Sequence, residues 1–194
     1  MNTSLSLLKE EIFTSTDQVS AEEWHTFQLL LTPTSYLKGE DVFPITNICK
    51  AVFFLSKGIL ASEYQTDEEF IINRFFRPKD LCSNLVSLLT GELANDRLFA
   101  VTNVEGVLIP ANLLLDNYFH SDTIGLYFRE KVLATLLADK HFMSIKTLSG
   151  VKPKLTFLQE NYPEVILNTP WKHIANFMGI TPSWLSRILK QQKE

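Results

Sequence analysis

The sequence has few of the residues that build disulfide, iron–sulfur or haem sites. It contains two cysteines, Cys49 and Cys82, which are far apart and do not have metal-ligand spacing. The N-terminus has no export signal, so both are expected to be reduced thiols in a cytoplasmic protein. An iron–sulfur cluster needs about four cysteines, and none of the four histidines lies in a haem motif. We therefore expect no metal and no cofactor.

Long apolar runs and catalytic signatures are also missing. No run approaches the length that crosses a membrane, and Val52–Leu55 is typical of a buried strand. The chain has no Ser/His/Asp or Cys/His signature, no phosphate loop, no dinucleotide fingerprint and no zinc spacing. The acidic pair Glu68–Glu69 is interpreted as two solvated loop charges. The sequence predicts a protein that is neither membrane-bound nor an enzyme.

Positive charge is scarce overall but concentrated at one end. Eighteen Lys and Arg residues against 22 Asp and Glu residues give a net charge of −4. From residue 168 to the end, four cations stand against one carboxylate, so this end carries +3 and the remainder −7. A basic tip on an acidic body is typical of a protein that meets phosphates through one small part. A short tail rich in lysine can also be basic by chance, so charge alone does not decide.

Residues 169–190 have the pattern of two short helices joined by a tight turn. Thr169–Pro170 and Thr181–Pro182 each supply an N-cap residue followed by a proline suited to the first helical position. Gly179 lies between them, where we expect a positive φ. This spacing predicts a helix-turn-helix. Its inward-facing residues are expected to be Ile174, Ala175, Met178, Ile180, Leu185 and Ile188.

The first part of the chain is predicted to be helical and then rich in strands. Residues 4–31 have helical periodicity, with a capping box at Ser20–Glu23. From residue 35 to 110, short apolar runs alternate with turn-like breaks, as in an antiparallel sandwich, barrel or roll. The expected strands lie within Ala51–Leu55, Ile59–Tyr64, Glu69–Phe76 and Leu98–Ile109, and the expected turns are Lys38–Gly39, Lys57–Gly58, Arg77–Asp80 and Glu105–Gly106.

A long helical segment follows, over about residues 112–148. Its stretch Asp122–Ala138 is apolar on more than one face. The helix is therefore either buried within its own domain or paired with a second copy. We favour the pair, because helix-turn-helix proteins commonly bind DNA as dimers. Gly150 and Pro153 are expected to form a hinge, and a last helix over Lys154–Asn161 is expected to stop before Pro163.

This order of parts resembles the Crp/Fnr superfamily of bacterial transcription regulators. The matching stretches are Leu37–Phe43, Val52–Leu60 and Tyr162–Ile188. The resemblance implies an α+β fold: an N-terminal double-stranded β-roll of jelly-roll type, a long dimerisation helix and a small helix-turn-helix domain. These parts correspond to residues 1–118, 119–149 and 150–194. It also implies a homodimer that binds a palindromic operator on double-stranded DNA, with RNA polymerase as a further candidate partner. The chain ends soon after the second helix, as in the shorter branch of the family that lacks a full wing.

The resemblance places the DNA contacts on the outer face of the second helix. The family often uses a Glu followed by Ser-Arg; here Ser183 stands at the Glu position, while Ser186 and Arg187 match. Arg187 is expected to donate a bidentate pair to guanine. Trp184 has two interpretations, contact with sugar or a thymine methyl, or a place in the core. Lys172, His173 and Lys190 would position the protein on phosphates, although a lysine there is equally well a solvated surface charge. Thr181, at the start of the second helix, is a further DNA-binding candidate.

The roll does not carry the cyclic-nucleotide signature of the family. That signature is a Gly-Glu pair followed further on by Arg with Ser or Thr and Ala. Gly91–Glu92 is present, but Arg97 comes too soon, and another alignment places Ala94–Asp96 where the Arg should be. We therefore expect no binding of cyclic AMP by the usual site. The candidate effector pocket comprises Cys82, Ser83, Asn84, Ala94 and Asn95, with Cys82 either a redox thiol or a small buried apolar residue.

Two functions are compatible with these patterns. The first is a regulator whose roll senses an unidentified effector, or none, and shifts the population of conformations that bind DNA. The second is an interaction module of the same fold that has lost specific DNA binding, which the substitution of Ser183 for Glu favours. A covered outer face on the second helix would indicate the module. A cleft of titratable groups with perturbed pKa values would indicate an enzyme.

Overall fold

The computed structural model describes residues 2–16, 18–67 and 69–191, and it begins with two helices. Helix α1 covers Thr3–Ser15 and helix α2 covers Ala21–Gln28, which confirms the predicted helical start. The Ser20 hydroxyl accepts a hydrogen bond from the Glu23 N–H at 3.1 Å. The Glu23 carboxylate accepts from the Thr123 hydroxyl, so only half of the predicted capping box forms among these residues. This bond ties α2 to the segment before the long helix.

Eight strands in the described part of the chain form two four-stranded antiparallel sheets. The predicted double-stranded roll is confirmed, because strands that are distant in sequence pair in both sheets. One sheet has the order β1-β8-β3-β6 and the other β2-β7-β4-β5. The strands are β1 Thr32–Tyr36, β2 Asp41–Phe43, β3 Ala51–Lys57, β4 Leu60–Gln65, β5 Phe70–Phe76, β6 Leu81–Cys82, β7 Asp96–Ala100 and β8 Val104–Pro110.

The predicted turn at Glu105–Gly106 is wrong, because both residues lie inside β8. Gly106 is opposite Leu55 in the sheet. A Cβ at Gly106 would lie 2.4 Å from the Phe53 ring and 2.3 Å from the Phe54 carbonyl oxygen. Gly106 is therefore a close-approach residue rather than a turn residue. The chain reverses at residues 101–103 instead.

A short helix within the roll was not expected from the sequence. Helix α3, Leu85–Thr90, connects β6 to the segment before β7. The Asn84 side chain accepts a hydrogen bond from the Ser87 N–H at 3.1 Å, and Gly91 ends the helix with φ of 72°. An Asn N-cap and a left-handed Gly C-cap are common helix signals. The helix has only six residues, which is too few to show a helical apolar period.

Six further helices follow the roll. The helical segment predicted over about residues 112–148 is divided at residues 121–123 into α4 and the long helix α5, which covers Ile124–Thr147. Gly150, with φ of 85°, separates α5 from the next helix. That helix begins at Val151 rather than at the predicted Lys154, because Pro153 is accommodated in its first turn. None of the described helices combines the length and apolarity needed to cross a bilayer. Besides α5, the helices after the roll are α4 Ala111–His120, α6 Val151–Asn161, α7 Pro163–Asn168, α8 Trp171–Met178 and α9 Pro182–Gln191.

The middle of α5 is only partly buried against the rest of the chain. Its buried residues lie within 124–128 and at Phe142, and no residue from 129 to 141 is buried. Two hydrogen bonds connect this part of α5 to other elements. The Arg74 guanidinium donates to the Thr135 carbonyl at 3.2 Å, and the Lys131 ammonium donates to Glu11 at 3.0 Å. The helix is therefore anchored at its ends and sparsely packed between them.

Candidate functional site

Helices α8 and α9 form the helix-turn-helix that the sequence predicted. Gly179 joins them with φ of 71°, in the left-handed region as expected. The Thr181 hydroxyl accepts a hydrogen bond from the Trp184 N–H at 3.3 Å, and Pro182 opens α9. The predicted inward set is confirmed. Ile174, Ala175, Met178 and Leu185 are buried, and Ile180 and Ile188 are half-buried against the same core.

Thr169 does not cap α8 as predicted. The N-cap position is Pro170, without a side-chain capping bond, and the Thr169 hydroxyl is buried without a partner in the described structure. The reason is local: Thr169 donates its N–H to the Val165 carbonyl at 2.9 Å, so its backbone belongs to the end of α7. The two prolines therefore begin their helices differently.

The outer face of α9 is open to solvent. Trp184 is 49% exposed, which favours its interpretation as a surface residue over a place in the core. Arg187, Lys190 and Lys172 form no ion pair with any residue that the structure describes. Their positive charge is thus uncompensated on this surface. Outer-face residues Ser183, Trp184, Ser186, Arg187 and Lys190 are all exposed.

His173 lies on the opposite side, against the roll. Its ring packs 5.5 Å from the Phe99 ring, centroid to centroid. Burial lowers the pKa of His173 to about 4, with the charges of Lys172 and Lys38 acting in the same direction. The imidazole is therefore neutral near pH 7 and is held against Phe99 of the roll. This placement removes His173 from the predicted phosphate contacts.

The helix-turn-helix is fixed to the roll by an asparagine that the sequence analysis did not single out. The Asn176 Oδ1 accepts a hydrogen bond from the Ile72 N–H at 2.7 Å, and its Nδ2 donates to the Phe70 carbonyl at 2.8 Å. Beside it, Phe177 lies 5.6 Å from each of the rings of Phe75 and Phe142. Helix α8 thus bonds to the edge of β5 and shares one apolar core with the roll and α5.

The roll contains a cavity of about 520 Å³ beside α5. Ser83, Asn84 and Asn95, three of the candidate effector-pocket residues, line this cavity. Cys82 and Ala94 do not, because Cys82 faces the core between the two sheets and Ala94 lies in the segment that bonds to Asn47. Burial raises the pKa of the Cys82 thiol well above its usual range, so the thiol stays protonated and is a poor redox group.

Arg74 is the main charged group of this cavity that the sequence analysis missed. It is 4% exposed, and its guanidinium donates to the Asp139 carboxylate at 2.5 Å. A second carboxylate, Asp96, accepts a hydrogen bond from the Asn84 amide. Burial raises the pKa of Asp96, with Asp139 adding to the rise and the hydrogen bonds opposing it. Two carboxylates face one guanidinium here, so the cavity does not favour a phosphate.

The residues that resemble the cyclic-nucleotide signature lie elsewhere. Gly91 ends α3, and Glu92 is exposed on the surface. Arg97 donates to Glu63 at 2.7 Å and to Asp41 at 3.0 Å, so two carboxylates neutralise its charge. None of these side chains lines the cavity. The structure therefore contains no free arginine at the position of an anion clamp among the described residues.

The exposed side of α5 carries a row of apolar residues. Leu126 and Leu133 are seven residues apart, as are Leu136 and Met143. Their exposed fractions are 36%, 59%, 48% and 70%, respectively. This is the spacing of the two apolar positions of a heptad. Leu137, 50% exposed, lies next to the row.

The same arrangement of roll, long helix and helix-turn-helix occurs in solved structures. A protein from Eubacterium rectale assigned to the Crp/Fnr family of transcriptional regulators superposes with a TM-score of 0.69, at 16% identity over 91% of this chain and 85% of that one. The chain has a Crp/Fnr-like fold. FixK2 from Bradyrhizobium japonicum gives a TM-score of 0.70 at 18% identity, covering 83% of each chain.

A third solved structure has the same fold. CLP from Xanthomonas campestris, described as a global regulator responsive to c-di-GMP, gives a TM-score of 0.67 at 16% identity, covering 90% of this chain and 92% of that one. No family model matches the sequence. No curated protein matches it either. At these identities the likeness defines the fold, and the function has to be argued from the residues of this chain.

Proposed function

We propose that this protein is a homodimeric, sequence-specific DNA-binding transcription regulator of the cytoplasm. The observation that carries the proposal is the open outer face of α9. Ser186, Arg187 and Lys190 point to solvent from a helix whose other face is buried against α8. A helix presented in this way enters the major groove, and its exposed side chains meet the base edges. The solved structure from Eubacterium rectale, a transcriptional regulator of the Crp/Fnr family with the same fold, supports the same function.

The side chains of this surface divide into two groups. Arg187 supplies the planar fork of donors that matches guanine O6 and N7, so it specifies sequence. Lys172, on the first turn of α8, and Lys190, at the end of α9, supply point charges that bind phosphates. Trp184 offers an exposed apolar surface to a sugar or to a thymine methyl. Ser183 replaces the family's Glu and adds a weaker hydrogen-bonding group.

Dimerisation follows from the long helix. The apolar heptad row of α5, defined by Leu126, Leu133, Leu136 and Met143, stays between 36% and 70% exposed in the described part of the chain. Two such rows facing each other would pack as a left-handed coiled coil and bury this surface. A two-fold dimer places two α9 helices on successive turns of one DNA face, which matches a palindromic operator.

The fold also suggests how a signal would reach the DNA. The cavity in the roll lies against α5, and α8 is bonded to β5 on the other side of the same core. A ligand that favours one packing of α5 would change the spacing of the two α9 helices in a dimer and so change operator affinity. RNA polymerase is the partner through which a bound regulator of this kind would act.

Catalysis is not supported by the cavity. Asp96, whose pKa is raised by burial, accepts a hydrogen bond from the Asn84 amide. Neither histidine nor cysteine is among the residues that line it. The other carboxylate of the cavity, Asp139, is paired with Arg74, so both acidic groups already have partners in the described structure. The open outer face of α9 likewise argues against a module in which another element covers this helix.

The experiment is a selection of genomic DNA fragments on the purified protein at a fixed, moderate salt concentration. We expect a small set of retained fragments that share a two-fold motif with half-sites about one helical turn, roughly 34 Å, apart. Uniform retention of all fragments, or no retention, would reject sequence-specific binding. Light scattering on the same preparation measures the mass of the particle and tests the dimer separately.

A further inference from the structure

A second cavity, of about 320 Å³, lies on the other side of α3 and is strongly apolar. Helices α3, α4 and α5 and strands β3 and β6 form its walls. None of the residues that line it carries a charge. Its aliphatic walls include Leu81, Leu88, Leu114, Val132 and Leu136. This size and lining are those of a site for a small organic ligand.

Three hydroxyl groups border this cavity without a hydrogen-bond partner among the described residues. They belong to Ser83, Tyr118 and Thr135. The Thr135 carbonyl accepts from Arg74, but its hydroxyl makes no such bond. A hydroxyl can both donate and accept. A few free hydroxyls on an apolar wall are the groups that orient a ligand rather than attract a charge.

We propose that this cavity binds an uncharged amphipathic small molecule, with an apolar chain among the leucines and one polar group near the hydroxyls. A charged ligand is disfavoured because no counter-charge lines the cavity, and burial of an unpaired charge is costly. Val132 and Leu136 belong to α5, so the ligand contacts the long helix directly. The role of this ligand as an effector rests on the proposed function; its binding does not.

The cavity borders the polar cavity of the roll. Ser83, Leu85 and Thr135 line both. Thr135 lies in the central part of α5, where no residue is buried. A ligand here fills the gap between the roll and the helix. This position explains how a neutral molecule would alter the packing of α5 without the anion clamp of a cyclic-nucleotide site.

A second copy of the chain is the competing occupant. Leu136 belongs both to the heptad row and to the cavity wall, and Leu89 and Phe119 at the rim are 60% and 68% exposed. The heptad row accounts for the pairing of α5 by itself, since Leu126, Leu133 and Met143 do not line this cavity. The small molecule is therefore favoured for the interior.

The test is calorimetric titration of the purified full chain, without DNA, using 1-octanol and octanoate as probes. These molecules share a chain length and differ in charge at pH 7. We expect saturable binding of one 1-octanol per protomer, with octanoate at least about tenfold weaker because its carboxylate has no partner. No saturable binding of 1-octanol, or equal binding of the two probes, overturns the proposal.

Two matched variants locate the site. Leu89→Glu places a carboxylate at the cavity rim, whereas Leu93→Glu changes another exposed leucine that lines neither cavity. We expect Leu89→Glu to weaken 1-octanol binding about tenfold and Leu93→Glu to leave it unchanged. Equal effects of the two changes overturn the assignment. Dissociation of the dimer by Leu89→Glu, together with no 1-octanol binding by the unaltered chain, shows instead that a second copy occupies the cavity. Because DNA is absent, neither result depends on operator binding.

Discussion

The side chain of Asn176 in the helix-turn-helix accepts a hydrogen bond from the backbone N–H of Ile72 in the roll, at 2.7 Å. The same amide donates to Phe70. One residue of α8 therefore satisfies two backbone groups on a strand more than a hundred positions earlier in the chain. This pair of bonds fixes where the proposed DNA-binding surface lies on the roll, because it joins α8 to β5 at one register.

We predict that Asn176→Ala lowers the free energy of unfolding by about 1–3 kcal/mol, because the Ile72 N–H and the Phe70 carbonyl lose their partner. Urea denaturation followed by circular dichroism measures this change. Asn168→Ala is the matched control, since the Asn168 amide donates only to the Glu164 carbonyl one turn earlier on an exposed helix. Equal losses of stability in the two variants would show that the Asn176 bonds contribute no more than a local contact.

The second prediction concerns the heptad row of α5 as the proposed dimer face. Leu133→Glu places a charge in the centre of the heptad row, where Leu133 is 59% exposed in the protomer. We expect the variant to be a folded monomer, because two buried carboxylates would face each other across the pair of helices. Light scattering gives the mass. Leu167→Glu changes another exposed leucine, on α7, and should leave the dimer intact; a dimer that survives Leu133→Glu refutes this face.

The third prediction concerns pH. Burial, assisted by Lys172 and Lys38, lowers the pKa of His173 to about 4 in the folded chain, from 6.5 for a free histidine. Between these values the unfolded chain binds a proton at this site and the folded chain does not, so stability falls as the pH decreases from about 6.5 to about 4. Above about pH 7 the site makes no difference to the slope.

Comparison with His173→Gln isolates this contribution, because other groups titrate over the same range. We expect the unaltered chain to lose more unfolding free energy than His173→Gln as the pH falls from 7 to 4. Chemical denaturation at a series of pH values gives the difference between the two. Parallel pH profiles would mean that His173 is solvated rather than packed against Phe99.

The helix-turn-helix was predictable from sequence because its determinants are local. Gly179, Thr181 and the buried positions of α8 and α9 lie within one stretch of the chain and obey one helical register. The order of strands in the roll was predictable only as a class, since pairing such as that of β1 with β8 joins distant segments. Glu105–Gly106 shows the limit: a glycine required by the neighbouring Phe53 ring looks in sequence like a turn.

In the candidate sites, too, residues with local determinants were predictable, and residues that depend on distant contacts were not. The exposed positions of Ser183, Ser186 and Arg187 followed from helical periodicity alone. The roles of Arg74 and Asn176 depend on contacts with Asp139 and Ile72, which are distant in sequence. The only signal in the sequence was a polar residue within a mostly apolar segment. His173 was misplaced because its neighbour Phe99 belongs to another part of the chain.

Specific DNA reading is the central claim, and a comparison of Arg187→Ala with Lys190→Ala tests it most directly. Fluorescence anisotropy would measure the affinity of each variant for a selected operator and for a scrambled duplex over a range of salt concentrations. We predict that Arg187→Ala weakens operator binding by about 1–3 kcal/mol while affecting the scrambled duplex less, because a base contact is lost. Lys190→Ala should weaken both duplexes alike and reduce the salt slope by about one. Equal weakening of both duplexes by Arg187→Ala would contradict the account.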